Sequence, residues 1–327
     1  MKAEASVGPI VFEPVFQKRV WGGRRLAERY GKALPADGAP YGESWEVSDR
    51  DEAMSVVADG PLAGTTLRAL WRERRREIFG RAAESWPDRR FPILIKILDC
   101  RQKLSLQVHP PAATAEVLGG EPKSEVWYLV DVEPGAELYV GLKGGIDRAA
   151  FATGLEEGRT ADQVNAVRPH AGESIFIPSG RLHAIGGGFV IFEIQQNSDT
   201  TYRVFDWNRA GLDGVPRELH VAESLQCIDF DDVAPTMDAV EDGVVADCDD
   251  FRVEIALLDA GAAPVDLAAD GECAIVGVAT GEVTCGGRTF RRGQFFLVPA
   301  GRVPGSLQGT AAGPEGATIL KTMLARQ

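Results

Sequence analysis

Short apolar runs separated by glycine and proline fill the chain from about residue 90 onward. Runs such as LSLQVH, VWYLVD, ELYVGL, SIFIPS and FVIFEIQQ have the length of β-strands, and turn-forming residues lie between them. This spacing predicts antiparallel strands in a sandwich or small barrel. Segment 93–98, ILIKIL, is almost wholly apolar, and it predicts a strand buried on both faces.

One turn pattern occurs twice in the chain. Residues 172–180 and residues 293–301 both read Gly-x5-Pro-x-Gly, with an apolar run between the first glycine and the proline. Glycine and proline at these positions suit tight turns that flank a strand. His183 follows the first copy, whereas Pro304 stands at that place after the second. The repeat therefore predicts two related β-barrels, of which the second has lost a ligand.

Helical patterns and one acidic stretch interrupt the β-runs. Three segments have helix-like spacing of apolar residues, namely 62–79, 147–157 and 217–226. The acidic stretch 229–250 predicts a linker between the barrels. The sequence thus predicts a mainly β protein with a few helices. We expect a first domain at 1–240, which includes N-terminal strands and helices, and a second barrel at 241–327.

Composition limits the partners of the chain. The net charge of −13 disfavours a nucleic acid or an anionic membrane as the main partner. The five cysteines are odd in number and show no CxxC pair, which is typical of reduced thiols in the cytoplasm. No apolar stretch predicts export or membrane insertion. We expect a cytoplasmic monomer or homodimer that binds a small molecule.

Two of the four histidines stand at the ends of β-like runs. Gln107 and His109 alternate along one predicted strand and so share a face, while His183 follows a turn and Glu125 begins another strand. Imidazole nitrogens with amide and carboxylate oxygens suit Zn²⁺, and Mn²⁺, Fe²⁺ and Co²⁺ are the alternative metals. The alternative is that the two histidines are unrelated polar residues at strand ends.

Cationic and hydroxyl side chains stand near these candidate ligands in the sequence. Lys123 shares a strand face with Glu125, and Ser105 shares one with the first candidate ligands. Lys96, inside the apolar run, either reaches outward to water or points into a polar cavity. With Arg203, this set suits a phosphorylated, hydroxyl-rich ligand, which Ser105 and Lys96 would bind. The alternative for each cation is a surface ion pair.

Two of these cations have candidate catalytic roles. A lysine that lies beside a metal and is partly desolvated would have a lowered pKa, which would make Lys123 a proton acceptor. Arg203 would stabilise a developing enediolate oxygen without transferring a proton. His170 and His220 are expected to be non-catalytic. The run GESWEVS at residues 42–48 is given no role, although it could line the mouth of a cavity.

Several ordered motifs resemble the type I mannose-6-phosphate isomerases in their short bacterial form. The motifs are VWGG at 20–23, LSLQVHP at 104–110, KSEVWY at 123–128, PSGRLHAI at 178–185 and QQNSDTTYR at 195–203. The resemblance extends from about residue 10 to residue 230, and the remainder matches only as a degenerate barrel. It implies a cupin fold with two jelly-roll barrels, the first of them catalytic.

The resemblance also implies an activity and a set of site residues. The activity is interconversion of mannose 6-phosphate and fructose 6-phosphate by proton transfer through a cis-enediol. It implies one zinc ion per chain, held by Gln107, His109, Glu125 and His183. Arg203 would be the catalytic arginine, Lys123 takes the place of a lysine proposed as base, and Ser105 that of a serine near the phosphate.

Two departures from the family pattern leave alternatives open. Residues 109–112 read HPPA where the family often has His-Pro-Asp-Asp, and Pro122 replaces a histidine found in longer relatives. One alternative is another cupin metalloenzyme, either a dioxygenase or an isomerase of a free sugar or another sugar phosphate. The other alternative is a non-catalytic module that binds sugar.

Overall fold

Two facing antiparallel sheets are built from residues 15–205 in a computed structural model, which describes residues 7–269, 271–301 and 307–325. The first sheet has the strand order β1 (Val15–Gly23), β2 (Tyr41–Val47), β5 (Ile93–Cys100), β12 (Phe189–Gln196), β7 (Glu125–Val132) and β10 (Ser174–Ile177). The second has the order β13 (Tyr202–Phe205), β6 (Leu106–Val108), β11 (His183–Ile185), β8 (Leu138–Leu142) and β9 (Val164–Val167). A short ribbon pairs β3 (Asp49–Arg50) with β4 (Ala53–Met54).

A second pair of sheets is built from residues 244–324. One sheet has the order β14 (Val244–Asp247), β15 (Phe251–Leu258), β22 (Ala317–Leu324), β17 (Ala274–Thr280) and β20 (Phe295–Val298). The other has the order β16 (Val265–Asp266), β21 (Gln308–Ala311), β18 (Glu282–Cys285) and β19 (Arg288–Arg291). The prediction of a mainly β fold with two barrel-like parts is therefore confirmed.

Strand β5 is buried along its whole length, as its composition predicts. Ile95 and Ile97 face a large cluster of side chains that also contains Phe251 and Phe295 from the second pair of sheets. Leu98 faces the opposite way, into the cluster between the first two sheets. One central strand thus contributes to two cores, because alternate side chains leave a strand on opposite faces.

The repeated turn pattern marks equivalent strands in the two barrels. In the first barrel Ile177 of β10 pairs with Glu125, and in the second Val298 of β20 pairs with Ala274. The repeat therefore places an alanine where the first barrel has a carboxylate. Pro304 lies outside the described residues. The division into domains at residues 240 and 241 stays a prediction, since one hydrophobic cluster draws on both pairs of sheets.

Helices are short and lie around the sheets. They are α1 (Arg25–Glu28), α2 (Leu67–Glu73), α3 (Arg75–Phe79), α4 (Ala112–Leu118), α5 (Arg148–Glu156) and α6 (Val221–Cys227). Single 3-10 turns occupy Gly60–Leu62, Ala82–Ser85 and Thr160–Gln163. In the described part of the chain, no helix has both the length and the apolar character needed to cross a membrane.

Two of the predicted helices differ from the observed ones. The segment 62–79 is divided at Arg74, which has a non-helical backbone (φ −130°, ψ 28°), and α2 begins only after Thr66, whose hydroxyl accepts a hydrogen bond from Ala69 N. The helix predicted at 217–226 begins at Val221, because the preceding residues are held by the neighbouring strand: His220 N donates to Arg203 O at 2.7 Å. The helix predicted at 147–157 matches α5 closely.

The acidic segment 229–250 is attached to the first barrel rather than free. The amide of Leu142 donates to Asp232 O at 2.9 Å, and Ala234 N donates to Leu142 O at 2.8 Å. Arg181 also forms a two-pronged ion pair with the Asp232 carboxylate, both contacts at 2.9 Å. The linker expected here therefore packs along the first barrel, and its last part forms β14.

We expect the contact between the two pairs of sheets to dominate stability. Phe192 is fully buried, and its ring lies 4.8 Å from that of Phe295. Replacing Phe192 with alanine should lower the free energy of unfolding by about 3–5 kcal/mol, because the cavity left behind cannot be refilled. Urea unfolding measures this. Leu257→Ala, at a site that is 72% exposed, is the control and should change little. Equal small losses in both variants would contradict the expectation.

Candidate metal centre and active site

A row of charged and aromatic side chains lies on the inner face of the first sheet. Strand pairing places Lys96 between Trp45 and Glu193, and Glu193 in turn opposite Trp127. Lys96 Nζ lies 3.2 Å from Glu193 Oε1 and 5.0 Å from the centre of the Trp45 ring. Lys96 was expected either to reach outward to water or to point into a polar cavity. The structure shows that it lines the cavity.

Three strands from both sheets bring the candidate metal ligands together. His109 directly follows β6, His183 begins β11 and Glu125 begins β7 on the facing sheet. Their potential ligand atoms all lie within 4.8 Å of one another, and all three side chains are buried. The structure brings these three residues together in a group that could hold a metal ion, and their role as ligands stays a prediction.

Hydrogen bonds fix the orientation of both imidazole rings. Nδ1 of His109 lies 3.0 Å from Thr200 O, and Nδ1 of His183 lies 2.9 Å from Arg181 O. A carbonyl can only accept, so each Nδ1 carries the proton and each Nε2 presents a lone pair toward Glu125. Burial lowers the pKa of both rings, that of His109 to about 3, which keeps them neutral. Neutral imidazoles are the form that binds metal ions.

Gln107 lies beside this group. Its Nε2 is 3.3 Å from His183 Nε2, and its Oε1 accepts a hydrogen bond from Ser105 Oγ at 3.1 Å. The amide nitrogen rather than the oxygen therefore faces the imidazole. A half-turn of the side-chain amide exchanges these atoms and would present the oxygen to a metal. The structure places Gln107 and Ser105 together at the site, and their roles stay predictions.

The surroundings of the Glu125 carboxylate show whether a cation fits between it and the two imidazole rings. Its carboxylate is fully buried; Lys123 Nζ forms an ion pair with Oε2 at 2.7 Å, while Oε1 accepts no hydrogen bond from the residues that the structure describes. Burial would raise the pKa of Glu125, but Lys123 and His109 outweigh burial and hold that pKa well below its usual range. A buried ionised carboxylate with one oxygen that lacks a donor is costly, and a cation at that oxygen would offset the cost. Two neutral imidazoles and this carboxylate suit a divalent cation.

Lys123 is buried in an ion pair with Glu125. Its Nζ lies 2.7 Å from Glu125 Oε2 and 3.3 Å from His109 Nε2. Without a metal, burial would lower the pKa of the ammonium, but attraction to Glu125 and Glu193 outweighs burial and raises that pKa. The lowered pKa was expected for a lysine beside a bound metal, so it stays a prediction.

A cavity of about 550 Å³ opens beside the metal group, and Gln107 and Lys123 form part of its wall. Arg203 also lines it from β13, where it pairs with Gln107 in strand register. One terminal nitrogen of Arg203 donates to Glu218 O at 2.7 Å, while its buried Nε has no partner among the described residues. Burial and the nearby Arg217 lower the pKa of Arg203.

Several cavity residues have no role in the sequence-based prediction. Glu43 lies in the 42–48 run that received none, and Glu193 is the one charged residue of the run FVIFEIQQ. A single charged residue inside an apolar strand was the sequence feature that could have indicated a cavity position for Glu193. The motif VWGG has a steric cause. A Cβ on Gly22 would lie 2.3 Å from Gly42 N, so only glycine lets β1 approach the strand that carries Glu43 this closely.

The remaining histidines lie outside the metal group. His170 stands at an exposed turn, with a side chain that is 85% exposed. Nδ1 of His220 accepts a hydrogen bond from Arg203 N at 3.3 Å, so this residue supports the strand that carries the arginine. Neither residue contributes to the cavity wall. Both are placed as the non-catalytic expectation requires.

Comparison with known proteins identifies the family of the chain. Residues 10–134 match the family model described as phosphomannose isomerase type I, catalytic domain. The chain is 39% identical to the mannose-6-phosphate isomerase ManA of Bacillus subtilis over 223 residues. The aligned region covers 68% of this chain and 68% of that protein. The chain is also 39% identical over 223 residues to the probable mannose-6-phosphate isomerase GmuF of the same organism, covering 67% of this chain and 68% of that protein.

A solved structure extends the match to almost the whole chain. The crystal structure of the mannose 6-phosphate isomerase from Bacillus subtilis superposes with a TM-score of 0.81 at 30% identity, covering 97% of this chain and 99% of that one. The paired sheets and the buried His-Glu-His group define a cupin-type protein with a metal-binding group. The chain belongs to the type I mannose-6-phosphate isomerase family.

We expect removal of the Glu125 charge to abolish tight metal binding. Glu125→Gln keeps the size of the side chain but leaves two neutral rings and an amide, so most of the bound metal should be lost. Elemental analysis after dialysis against Zn²⁺ measures this. Glu282→Gln, at a side chain of the second barrel that is 41% exposed, should keep the wild-type content. Unchanged metal content in Glu125→Gln would show that the cation binds elsewhere.

Proposed function

We propose that this chain is a metal-dependent aldose-ketose isomerase that interconverts mannose 6-phosphate and fructose 6-phosphate. The observation that carries the proposal is the buried group of His109, Glu125 and His183 beside a cavity with several cationic side chains. Family membership supports the same reaction. It favours an isomerase over a dioxygenase or a sugar-binding module without activity.

Zn²⁺ is the proposed cofactor, with one ion per chain. Two neutral imidazole nitrogens and a carboxylate oxygen would hold it, and the Gln107 amide oxygen would be the fourth ligand after the half-turn described above. When bound, the ion would polarise and orient the sugar oxygens. The cage is built from strands of two sheets, so its donors are held before any ligand arrives.

The reaction moves the proton on C2 to C1 by way of a cis-enediol, while the proton of the C2 hydroxyl passes to the oxygen on C1. Arg203 lines the cavity, and its buried Nε–H has no partner among the described residues. It would stabilise the charge that develops on a sugar oxygen. Lys123 holds a proton at Nζ in the metal-free protein and is the proposed proton-transfer group. Lys96 and Ser105, both on the cavity wall, are the proposed substrate-binding residues.

The cellular setting follows from composition. The net charge of −13 and an odd number of cysteines with no CxxC pair support a cytoplasmic enzyme that acts on a small molecule and not on nucleic acid. The assembly proposed is a monomer or a homodimer. The local set of cavity cations is what would admit an anionic substrate to a chain that is acidic as a whole.

Activity should depend on both the phosphate and the metal. Purified protein is expected to convert mannose 6-phosphate to fructose 6-phosphate, while free mannose yields little fructose because it lacks the charged group that the cavity cations attract. Prolonged chelation should inactivate the enzyme, and added Zn²⁺ should restore it. Coupled ketose assays measure all four conditions. Equal rates with free mannose would indicate a free-sugar isomerase, and full activity after metal removal would exclude a catalytic metal.

Arg203 should be required for turnover but not for metal binding. Arg203→Ala is expected to lower kcat by roughly 10²–10³-fold, since it removes a donor aimed at the developing charge. Zinc content should stay at the wild-type value because the guanidinium contacts no metal ligand. Arg168→Ala, at a side chain that is 78% exposed, is the control and should retain activity. Normal turnover by Arg203→Ala would remove the catalytic assignment.

A further inference from the structure

One carboxylate on the cavity wall is held in place by three hydrogen bonds. Arg19 donates to Glu43 through Nε at 2.8 Å and through a terminal nitrogen at 3.0 Å, and Trp45 Nε1 donates to the same carboxylate at 2.7 Å. Both Arg19 and Glu43 line the cavity, and Glu43 is 8% exposed. A two-pronged arginine contact and an indole contact together prevent rotation of the carboxylate.

The three bonds leave acceptor capacity unused. Two of them end on Oε2 and only one ends on Oε1. A carboxylate has about four acceptor sites, two on each oxygen, so Oε1 keeps one of them. Within the residues that the structure describes, no other side chain donates to this oxygen. The unused acceptor capacity therefore lies on a residue of the cavity wall.

The charge state of Glu43 restricts what can bind there. Burial would raise the pKa of this carboxyl, but Arg19 and Lys96 outweigh burial and lower that pKa to about 2. An ionised carboxylate accepts hydrogen bonds and donates none. Its partner must therefore be a donor, and in a sugar phosphate the available donors are the hydroxyl groups. A phosphoryl group would be repelled.

We infer that Glu43 binds one hydroxyl group of the sugar, and that Arg19 is a positioning residue that holds Glu43 for this contact. The inference rests on the proposed function and adds a specificity contact to it. Arg19 lies on β1 and its side chain is 30% exposed, so a competing possibility is that it contacts the substrate phosphate directly. The two roles predict different results when both residues are changed.

The test uses a double-mutant cycle with mannose 6-phosphate as substrate. Glu43→Gln should lower kcat/KM by about tenfold or more, the usual cost of losing a hydrogen bond to a charged group. Arg19→Gln should lower it less, and Arg19→Lys should recover part of that loss. The Arg19→Gln/Glu43→Gln double variant should be no worse than Glu43→Gln, because Arg19 acts only through Glu43. Zinc content should be unchanged throughout.

Arg252→Gln is the matched control, since Arg252 binds Glu254 at 2.9 Å in the second barrel. It should retain wild-type kcat/KM. Unchanged kcat/KM in Glu43→Gln overturns the inference, and additive losses in the double variant overturn the positioning role of Arg19. If Glu43→Gln fails to fold, the comparison of Arg19→Gln with Arg19→Lys decides, and equal activities overturn the inference. A wild-type protein that does not convert mannose 6-phosphate would instead refute the proposed function.

Discussion

The Glu125 carboxylate, ionised and shielded from water, sets the main constraint on this structure. A charge of this kind is tolerated only where opposite charges or donors compensate for lost hydration. Lys123, two residues before Glu125 and 2.7 Å from its carboxylate, supplies part of that compensation. Two imidazoles supply lone pairs from the facing sheet, where a cation would complete the set. The two sheets must therefore close at one spacing, because ligands on opposite sheets have to meet.

The second barrel shows what the same architecture becomes without that constraint. Ala274 takes the place of Glu125, and the interior is filled by apolar side chains, with Phe290 stacked on Phe296 at 3.9 Å. A lysine–glutamate ion pair also joins the two central strands there, with Glu254 on β15 and Lys321 on β22. In the first barrel the two residue types are exchanged, with Lys96 on β5 and Glu193 on β12. The pair in the second barrel is 20–25% exposed, whereas the equivalent pair in the first barrel is almost fully buried. The apolar barrel supports the sheet whose other face carries the site.

Sequence patterns identify the parts of the site that depend on local spacing. His109 and His183 were recognisable because each stands at the end of a β-run, and β5 because its residues are apolar on both faces. Glu43 was missed, since its place in the cavity depends on strand pairing between distant segments. The effect of Glu193 on the pKa of Lys123 was missed for a similar reason, because seventy residues separate the two in the chain.

Pairing of charges explains how an acidic chain can hold a site for an anion. The cavity cations Lys96, Lys123, Arg19 and Arg217 each contact a carboxylate, which holds each of them in a fixed position. Arg203 differs, because within the described ranges it has no carboxylate partner and donates only to a backbone carbonyl. An anionic group that enters the cavity therefore meets uncompensated positive charge at Arg203. The ion-paired side chains instead hold donors and acceptors in fixed positions. Fixed positions allow the cavity to distinguish hydroxyl groups of similar chemistry.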